Sequence, residues 1–298
     1  MSGARAKSSP LVDVHVHFLH DRCGRADWEA LNARRLEVGE RMGITTHVAS
    51  ILGTWGHTSP TYFPSPDDVA YGNGAMARLM EAHPDRIRGY VTVNPNFTDH
   101  ALSQIERWLD TGMIGVKLAA SRRASDPLLD PIAELAADRR APVLQHIWQH
   151  RRGEVSNQEI SDALDLLQLA DRHPKTQFIL AHLGGGGDWT HSVRALVGVT
   201  NIWVDLSGSG VDRGMLELCL ECLGVSRLLW GTDLTMETGL AKLRALEAMG
   251  LAREDMESVR WRNAERLFGE KVIGGVRGVR GVRGVRGVKG VRGERGDK

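Results

Sequence analysis

The chain has few of the residues that mark secreted, disulfide-bonded or membrane proteins. Its three cysteines among 298 residues are too few for a disulfide framework. Two of them, Cys219 and Cys222, lie within an apolar helical stretch, which indicates a buried helix rather than a zinc or redox site. No apolar run approaches the ~18–20 residues that a membrane span needs. Residues 1–10 also lack the apolar core of a signal peptide, so we expect a soluble protein of the reducing cytoplasm.

The chain also lacks a strong net charge, because an acidic body is balanced by a basic tail. The formal charge of +1 divides into +6 for residues 275–298 and −5 for the remainder. The body therefore gives no indication of a nucleic-acid surface. In the tail glycine occurs at every third position without any proline. This composition predicts a disordered extension rather than a collagen helix, and weak binding to anionic polymers is an alternative role for it.

What the sequence does contain is a regular alternation of strand-like and helix-like segments. The strand candidates are 11–17, 44–52, 87–94, 114–119, 142–147, 177–183, 202–206 and 227–231. The helix candidates are 28–42, 66–82, 100–110, 128–139, 158–172, 189–197, 215–223, 240–249 and 254–268. Eight strands that are each followed by a helix favour a single-domain (β/α)₈ TIM barrel over residues 11–273, between a flexible segment 1–10 and a low-complexity tail 274–298. A doubly wound sheet is less favoured, because no glycine-rich turn follows the first strand.

The first strand carries a His-Val-His motif at its end. Residues 12–17 alternate valines with Asp13, His15 and His17. Since successive residues of a strand point to opposite faces, the two histidines are expected to share one face about 6.6 Å apart, with the valines on the other. An isolated His-x-His is as often structural as metal-binding, so the rest of the chain must decide.

Further titratable residues fall at the predicted ends of other strands, where barrel enzymes carry their chemistry. These residues are Lys117, His146, His182 and Asp233. Imidazole and carboxylate ligands together select zinc or a similar divalent ion, such as manganese or iron. The sequence therefore predicts a metal site at one rim of the barrel.

This set of motifs, over roughly residues 11–269, resembles the amidohydrolase superfamily, and in particular the branch that includes aminocarboxymuconate-semialdehyde decarboxylase. The resemblance implies one divalent metal, with zinc expected first, bound by His15, His17, His146 and Asp233. It also implies that His182 is the acid/base, with Asp233 sharing the proton-transfer role. Some members of the superfamily bridge two metals with a carboxylated lysine at the position of Lys117. We favour a polar active-site role for Lys117 without a second metal.

Residues around these strand ends are candidates for binding a small-molecule substrate. They are Lys117, Arg122, Trp148 and His150. An arginine near a metal suits a carboxylate-bearing substrate, because a guanidinium can bind a carboxylate in a bidentate manner. A solvated loop charge is an equally good interpretation of Arg122.

Three hypotheses of function remain open on the sequence. The first is a hydrolase in which the metal activates water to attack an ester, lactone or amide. The second is a lyase that decarboxylates an unsaturated or aromatic acid, or hydrates a double bond. The third is a barrel that serves as a non-catalytic scaffold, which the complete ligand set disfavours. No membrane partner is expected, and a homodimer is suggested only by analogy with similar proteins.

Overall fold

The computed structural model describes residues 9–52, 62–149, 159–183, 187–208, 210, 212–233 and 236–273. Its strands form one eight-stranded parallel sheet in which each strand pairs with the next along the chain. The strands are β1 (Val12–His17), β2 (Thr46–Ser50), β3 (Ile87–Val93), β4 (Gly115–Leu118), β5 (Val143–Gln145), β6 (Phe178–Leu180), β7 (Ile202–Asp205) and β8 (Leu228–Leu229). With helices following the strands, this is the predicted (β/α)₈ barrel, which is thereby confirmed. The tail 274–298 and the segment 1–8 lie outside the described residues.

The barrel closes between its first and last strands with fewer backbone hydrogen bonds than elsewhere. The amide of Val14 donates to the carbonyl of Trp230 at 3.0 Å. Beside it the buried carboxylate of Asp13 accepts from the backbone N–H of Thr232 at 3.0 Å and from its hydroxyl at 2.7 Å. Side-chain hydrogen bonds therefore reinforce this seam, and Asp13 has a structural role there.

Helices on the outside cover the sheet. They are α1 (Trp28–Met42), α2 (Pro66–Ala82), α3 (Thr98–Asp110), α4 (Asp130–Asp138), α5 (Ala163–Arg172), α6 (Trp189–Ala195), α7 (Met215–Leu223), α8 (Met236–Ala248), α9 (Arg253–Glu257) and α10 (Asn263–Phe268). Helix α2 begins as predicted at Ser65-Pro66, where Ser65 and Asp68 form a capping box. Among the described residues no helix has the length and apolar composition that crossing a membrane requires.

Two helix predictions need correction, and a third needs a detail added. Helix α5 begins at Ala163 rather than near 158, because Asp162 caps it in a box with Asp165. Pro127 opens a 3₁₀ turn, and α4 begins only at Asp130. The predicted helix 254–268 is helical throughout, and a π-helical turn over Ser258–Arg262 joins its α-helical parts α9 and α10.

The apolar core has two parts, one between the sheet and the helices and one inside the barrel. The inner cluster takes one or two residues from each of six strands and is closed by residues of α10. Val12 and Val14 belong to this inner cluster, whereas Val16 belongs to the outer one. A shift in the β1–β2 register between Asp13 and Val16 separates the two groups. The prediction of one continuous valine face is therefore wrong, because the strand changes face at this irregularity.

Candidate metal centre

Three of the predicted ligands converge at one rim of the barrel. The Nε2 atoms of His15 and His17 lie 3.2 Å apart. The Oδ1 atom of Asp233 lies 3.3 Å from His17 Nε2 and 4.0 Å from His15 Nε2. A tetrahedral ion with ligand bonds of about 2.0–2.1 Å separates its donors by about 3.4 Å. The spacing of these three donors therefore resembles that of ligands around one divalent ion.

His146 and His182 adjoin this trio. The Nε2 atom of His182 lies 3.0 Å from Nδ1 of His146. The Nδ1 atom of His182 lies 3.6 Å from Oδ2 of Asp233. The imidazole of His182 also packs on that of His15, with ring centroids 4.7 Å apart. The structure thus places all five predicted residues in one cluster, and the division between ligand and acid/base remains a prediction.

Two residues of the cluster have a backbone conformation that side chains other than glycine seldom adopt. His182 has φ of 57° and Asp233 has φ of 58°, both in the left-handed region. The Asp233 conformation is fixed by its N–H, which donates to the carbonyl of His15 at 2.6 Å. Such strain persists only where the surroundings enforce it, and it concentrates at functional sites.

A second group of residues contacts the Nδ1 side of the His15 ring and orients it. The carboxylate of Asp205, at the end of β7, lies 2.6 Å from His15 Nδ1. The hydroxyl of Ser207 donates to Asp205 at 2.6 Å and lies 3.0 Å from the same ring nitrogen. When Nδ1–H donates to a carboxylate, the lone pair of Nε2 is left free to bind a metal. On β2, the hydroxyl of Ser50 stands 2.9 Å from His17 Nδ1 in a similar position.

The electrostatics favour neutral imidazoles beside an ionised carboxylate. Burial lowers the pKa of His182 to about 3 and that of His15 well below its ordinary value. Burial alone would raise the pKa of Asp233, but His182 and the hydrogen bond with His17 outweigh it and hold this pKa well below its usual range. Neutral histidines and an ionised aspartate are the protonation states in which these groups bind metals.

Lys117 lies on β4, fully buried against the same cluster. Its ammonium donates to Nε2 of His15 at 3.1 Å, and burial lowers its pKa to about 8. This nitrogen of His15 is the one that faces the other two donors. Lys117 therefore contacts the candidate metal centre directly.

A cavity of about 420 Å³ opens above the cluster. His17, His146, His182 and Asp233 form its polar floor. Its walls include the apolar side chains of Phe18, Leu19, Leu31 and Leu52 and the polar groups of Arg25, Arg35 and Tyr62. The volume lies in the range of small-molecule sites, and so does the mixture of apolar walls with a few polar groups.

The residues predicted to bind substrate from the loops are not among those that line this cavity. Arg122 donates to Asn96 and pairs with Asp126 at 3.5 Å. Trp148 pairs its backbone with Ser161, at 3.1 and 2.9 Å. Neither residue lines the cavity, so the structure gives no support to a substrate-binding role. His150 lies outside the described residues.

Several residues of the site are missing from the sequence-based prediction. Asp205 is the last residue of β7 and Ser207 follows it, just as Asp233 follows β8, and this position at a strand end could have identified them in the sequence. Arg35 is half-buried on α1, and its guanidinium donates to the carbonyl of His17. Tyr62 stacks near His146, with ring centroids 5.2 Å apart. Nothing in a single sequence marks those two.

Comparisons with known proteins agree with this architecture. Solved structures with the same fold include 2,6-dihydroxybenzoate decarboxylase in complex with 2,6-dihydroxybenzoate (17% identity, TM-score 0.67, 87% of this chain and 98% of that one). Another is 5-carboxyvanillate decarboxylase from Sphingomonas paucimobilis (16%, 0.63, 88% and 99%). A third is a dihydroxybenzoic acid decarboxylase from Polaromonas sp. JS666 with bound manganese and 2-nitroresorcinol (16%, 0.66, 87% and 97%).

Sequence comparison gives two further results. A search of curated protein sequences finds no match. The model of the amidohydrolase family matches residues 12–269, which include every strand of the barrel and all five residues of the cluster. The chain belongs to the amidohydrolase family.

Proposed function

We propose that this protein is a divalent-metal-dependent decarboxylase of a small aromatic or conjugated carboxylic acid. The observation that carries the proposal is the His/Asp cluster at the floor of a cavity with largely apolar walls and an arginine beside it. Structural similarity to decarboxylases of hydroxylated benzoic acids supports it.

The residues proposed to hold the metal are His15, His17, His146 and Asp233. Nitrogen-rich sites of this kind suit zinc, and manganese is the alternative because the similar Polaromonas structure contains it. Such an ion supplies Lewis acidity, which stabilises negative charge that develops on the substrate.

The chain's own groups bind and orient the acid. Phe18 and Leu52 belong to the apolar walls against which a ring can pack. Arg35 offers a guanidinium for a carboxylate or a phenolate oxygen, and Tyr62 lies over His146 on the same cavity. At about 420 Å³ the cavity fits a substrate with a single ring.

The proposed reaction exchanges a carbon–carbon bond for a carbon–hydrogen bond. The bond to the carboxylate breaks, carbon dioxide leaves, and the electron pair that remains on carbon takes up a proton from solvent. His182 and Asp233, whose nearest atoms are 3.6 Å apart, are placed to pass this proton to the carbon. General acid catalysis of this kind contributes about 10²–10⁴-fold to a rate.

A panel of hydroxybenzoic and conjugated acids labelled with ¹³C at the carboxyl tests the proposal, using protein loaded with Mn²⁺ or Zn²⁺. We expect labelled carbon dioxide and, in deuterated water, deuterium at the vacated carbon. Asp233→Asn is expected to slow the reaction at least about 100-fold, whereas Arg122→Ala, outside the cavity, leaves it unchanged. Metal-loaded protein that releases no carbon dioxide from any acid but hydrolyses esters or lactones would reject the proposal.

Hydrolysis is the second candidate, and one observation favours it. His182 is neutral and faces the cavity, so it can accept a proton from water that attacks a carbonyl. In this case the same protein would cleave members of an ester, lactone and amide panel, and ¹⁸O from labelled water would appear in the acid product.

A further inference from the structure

Lys242 is a buried lysine on the outer helix α8, where a lysine would ordinarily extend into water. Its side chain is 1% exposed. The ammonium donates to three successive backbone carbonyls, those of Leu206 at 2.7 Å, Ser207 at 3.0 Å and Gly208 at 2.8 Å. One side chain therefore satisfies the carbonyls of the whole segment that leaves β7.

Two of these three residues, Ser207 and Gly208, lie beside histidines of the candidate metal centre. The hydroxyl of Ser207 lies 3.0 Å from Nδ1 of His15 and 3.3 Å from Nδ1 of His182. Gly208 has φ of 86°, and a Cβ at this position would lie 3.3 Å from Cβ of His182. The path of this backbone therefore determines where both imidazoles can lie.

The hydrogen bonds of the ammonium that the structure describes all go to this segment. Within the described residues no ion pair joins Lys242 to a carboxylate, and its three hydrogen bonds there all go to main-chain oxygens. Removing a lysine from water is costly, and an apolar residue would fill the same space without that cost. A stabilising role by packing alone does not account for a charged donor at this position.

We propose that Lys242 is a positioning residue for the metal centre. It fixes the carbonyls of residues 206–208 so that Ser207 holds the imidazoles of His15 and His182 by their Nδ1 atoms, with their Nε2 atoms toward His17 and His146 of the cluster. The inference rests on the proposed metal-dependent function of the same site.

The first test follows the imidazoles in the absence of metal. The full chain, labelled with ¹⁵N-histidine, is compared as wild type, Lys242→Met and the exposed control Lys175→Met. We expect the ring ¹⁵N shifts of His15 and His182 to change in Lys242→Met only. Because this measurement needs neither metal nor turnover, it separates a failure of this inference from a failure of the proposed function.

The second test measures Co²⁺ affinity by its visible absorption. Loss of a residue that orients metal ligands weakens binding by about tenfold or more, and we expect about tenfold for Lys242→Met and for Ser207→Ala. If Lys242 acts through Ser207, the double variant is no weaker than Ser207→Ala alone. Lys242→Gln, whose amide keeps two donors, is expected to recover part of the loss.

If Lys242→Met does not fold, the Lys242→Ala variant with added ethylammonium is tested in its place. Recovery of Co²⁺ affinity when this amine is added supports the inference. Unchanged ¹⁵N shifts and Co²⁺ affinity beside a lower melting temperature would overturn it. The inference would also be overturned if the losses of Co²⁺ affinity in the two single variants added in the Lys242/Ser207 double variant. A third contrary result would be an amine that restores folding of Lys242→Ala but not its Co²⁺ affinity.

Discussion

Replacing Asp205 with asparagine removes the negative charge beside Nδ1 of His15 but nearly preserves the volume of the side chain. Oδ2 of Asp205 lies 2.6 Å from His15 Nδ1 and also accepts from the hydroxyl of Ser207. The carboxylate is fully buried, and burial raises its pKa. The substitution therefore changes the orientation and tautomer of one candidate ligand without opening a cavity.

The size of the expected effect on metal affinity and stability depends on which of two orientations the asparagine amide adopts. With its oxygen toward His15, a charge-assisted hydrogen bond becomes a neutral one, at a cost of about 1–1.5 kcal/mol. With its NH₂ toward His15, the ring proton must move to Nε2, the nitrogen that faces His17 and Asp233. We expect divalent-ion affinity to fall about 10–100-fold and the metal-free protein to be less stable than wild type by about 1–1.5 kcal/mol.

Affinity is measured by titration of Zn²⁺ or Mn²⁺ against a chelating dye, and stability by urea unfolding of the metal-free protein. Asp110→Asn is the matched control, because this exposed carboxylate lies far from the cluster and pairs with Arg139. An affinity equal to that of wild type would refute the reasoning, since it would mean that His15 is not a ligand or that Asp205 does not orient it.

Three further predictions concern Gly231, the cysteines of α7 and Arg35. Gly231→Ala would place a Cβ 2.6 Å from Oδ1 of Asp205 and 3.2 Å from Cβ of His15, so we expect a loss of about 1–3 kcal/mol in urea unfolding together with weaker metal binding. Burial raises the pKa of the Cys219 thiol to about 12, so we expect iodoacetamide not to alkylate it when the pH is raised from 7 to 9. The half-buried Cys222 is expected to be alkylated before it, and mass spectrometry of the modified peptides checks this order. Removing the charge of Arg35 with Arg35→Gln is expected to raise KM for a carboxylate substrate at least about tenfold, and an unchanged KM in steady-state assays would show that its guanidinium does not contact the substrate.

The fold and the cluster were predictable because both depend on regular features of the chain. Alternating apolar segments gave the eight strands, and titratable residues at their ends identified five members of the cluster. The continuous valine face of β1 could not be predicted correctly, since the register shift beside Asp13 arises from pairing with β2 and leaves no mark in the alternation.

Residues that act through contacts were less accessible to sequence reasoning. Arg122 was a reasonable candidate by position, and only its contacts with Asn96 and Asp126 show that it is engaged elsewhere. Lys242 has the appearance of an ordinary helix lysine until its three carbonyl partners are known. Such roles depend on tertiary neighbours from distant parts of the chain, which a single sequence does not specify.

The position of the cluster across the seam of the barrel has a consequence for synthesis. His15 and His17 leave the ribosome among the first residues of the domain, but Asp233 follows the last strand. A nascent chain can therefore expose its paired imidazoles long before the carboxylate that completes the trio exists. Under the proposed function, all three ligands can bind a divalent ion only after the last strand has been made, and the ion would then link the first strand of the barrel to the last.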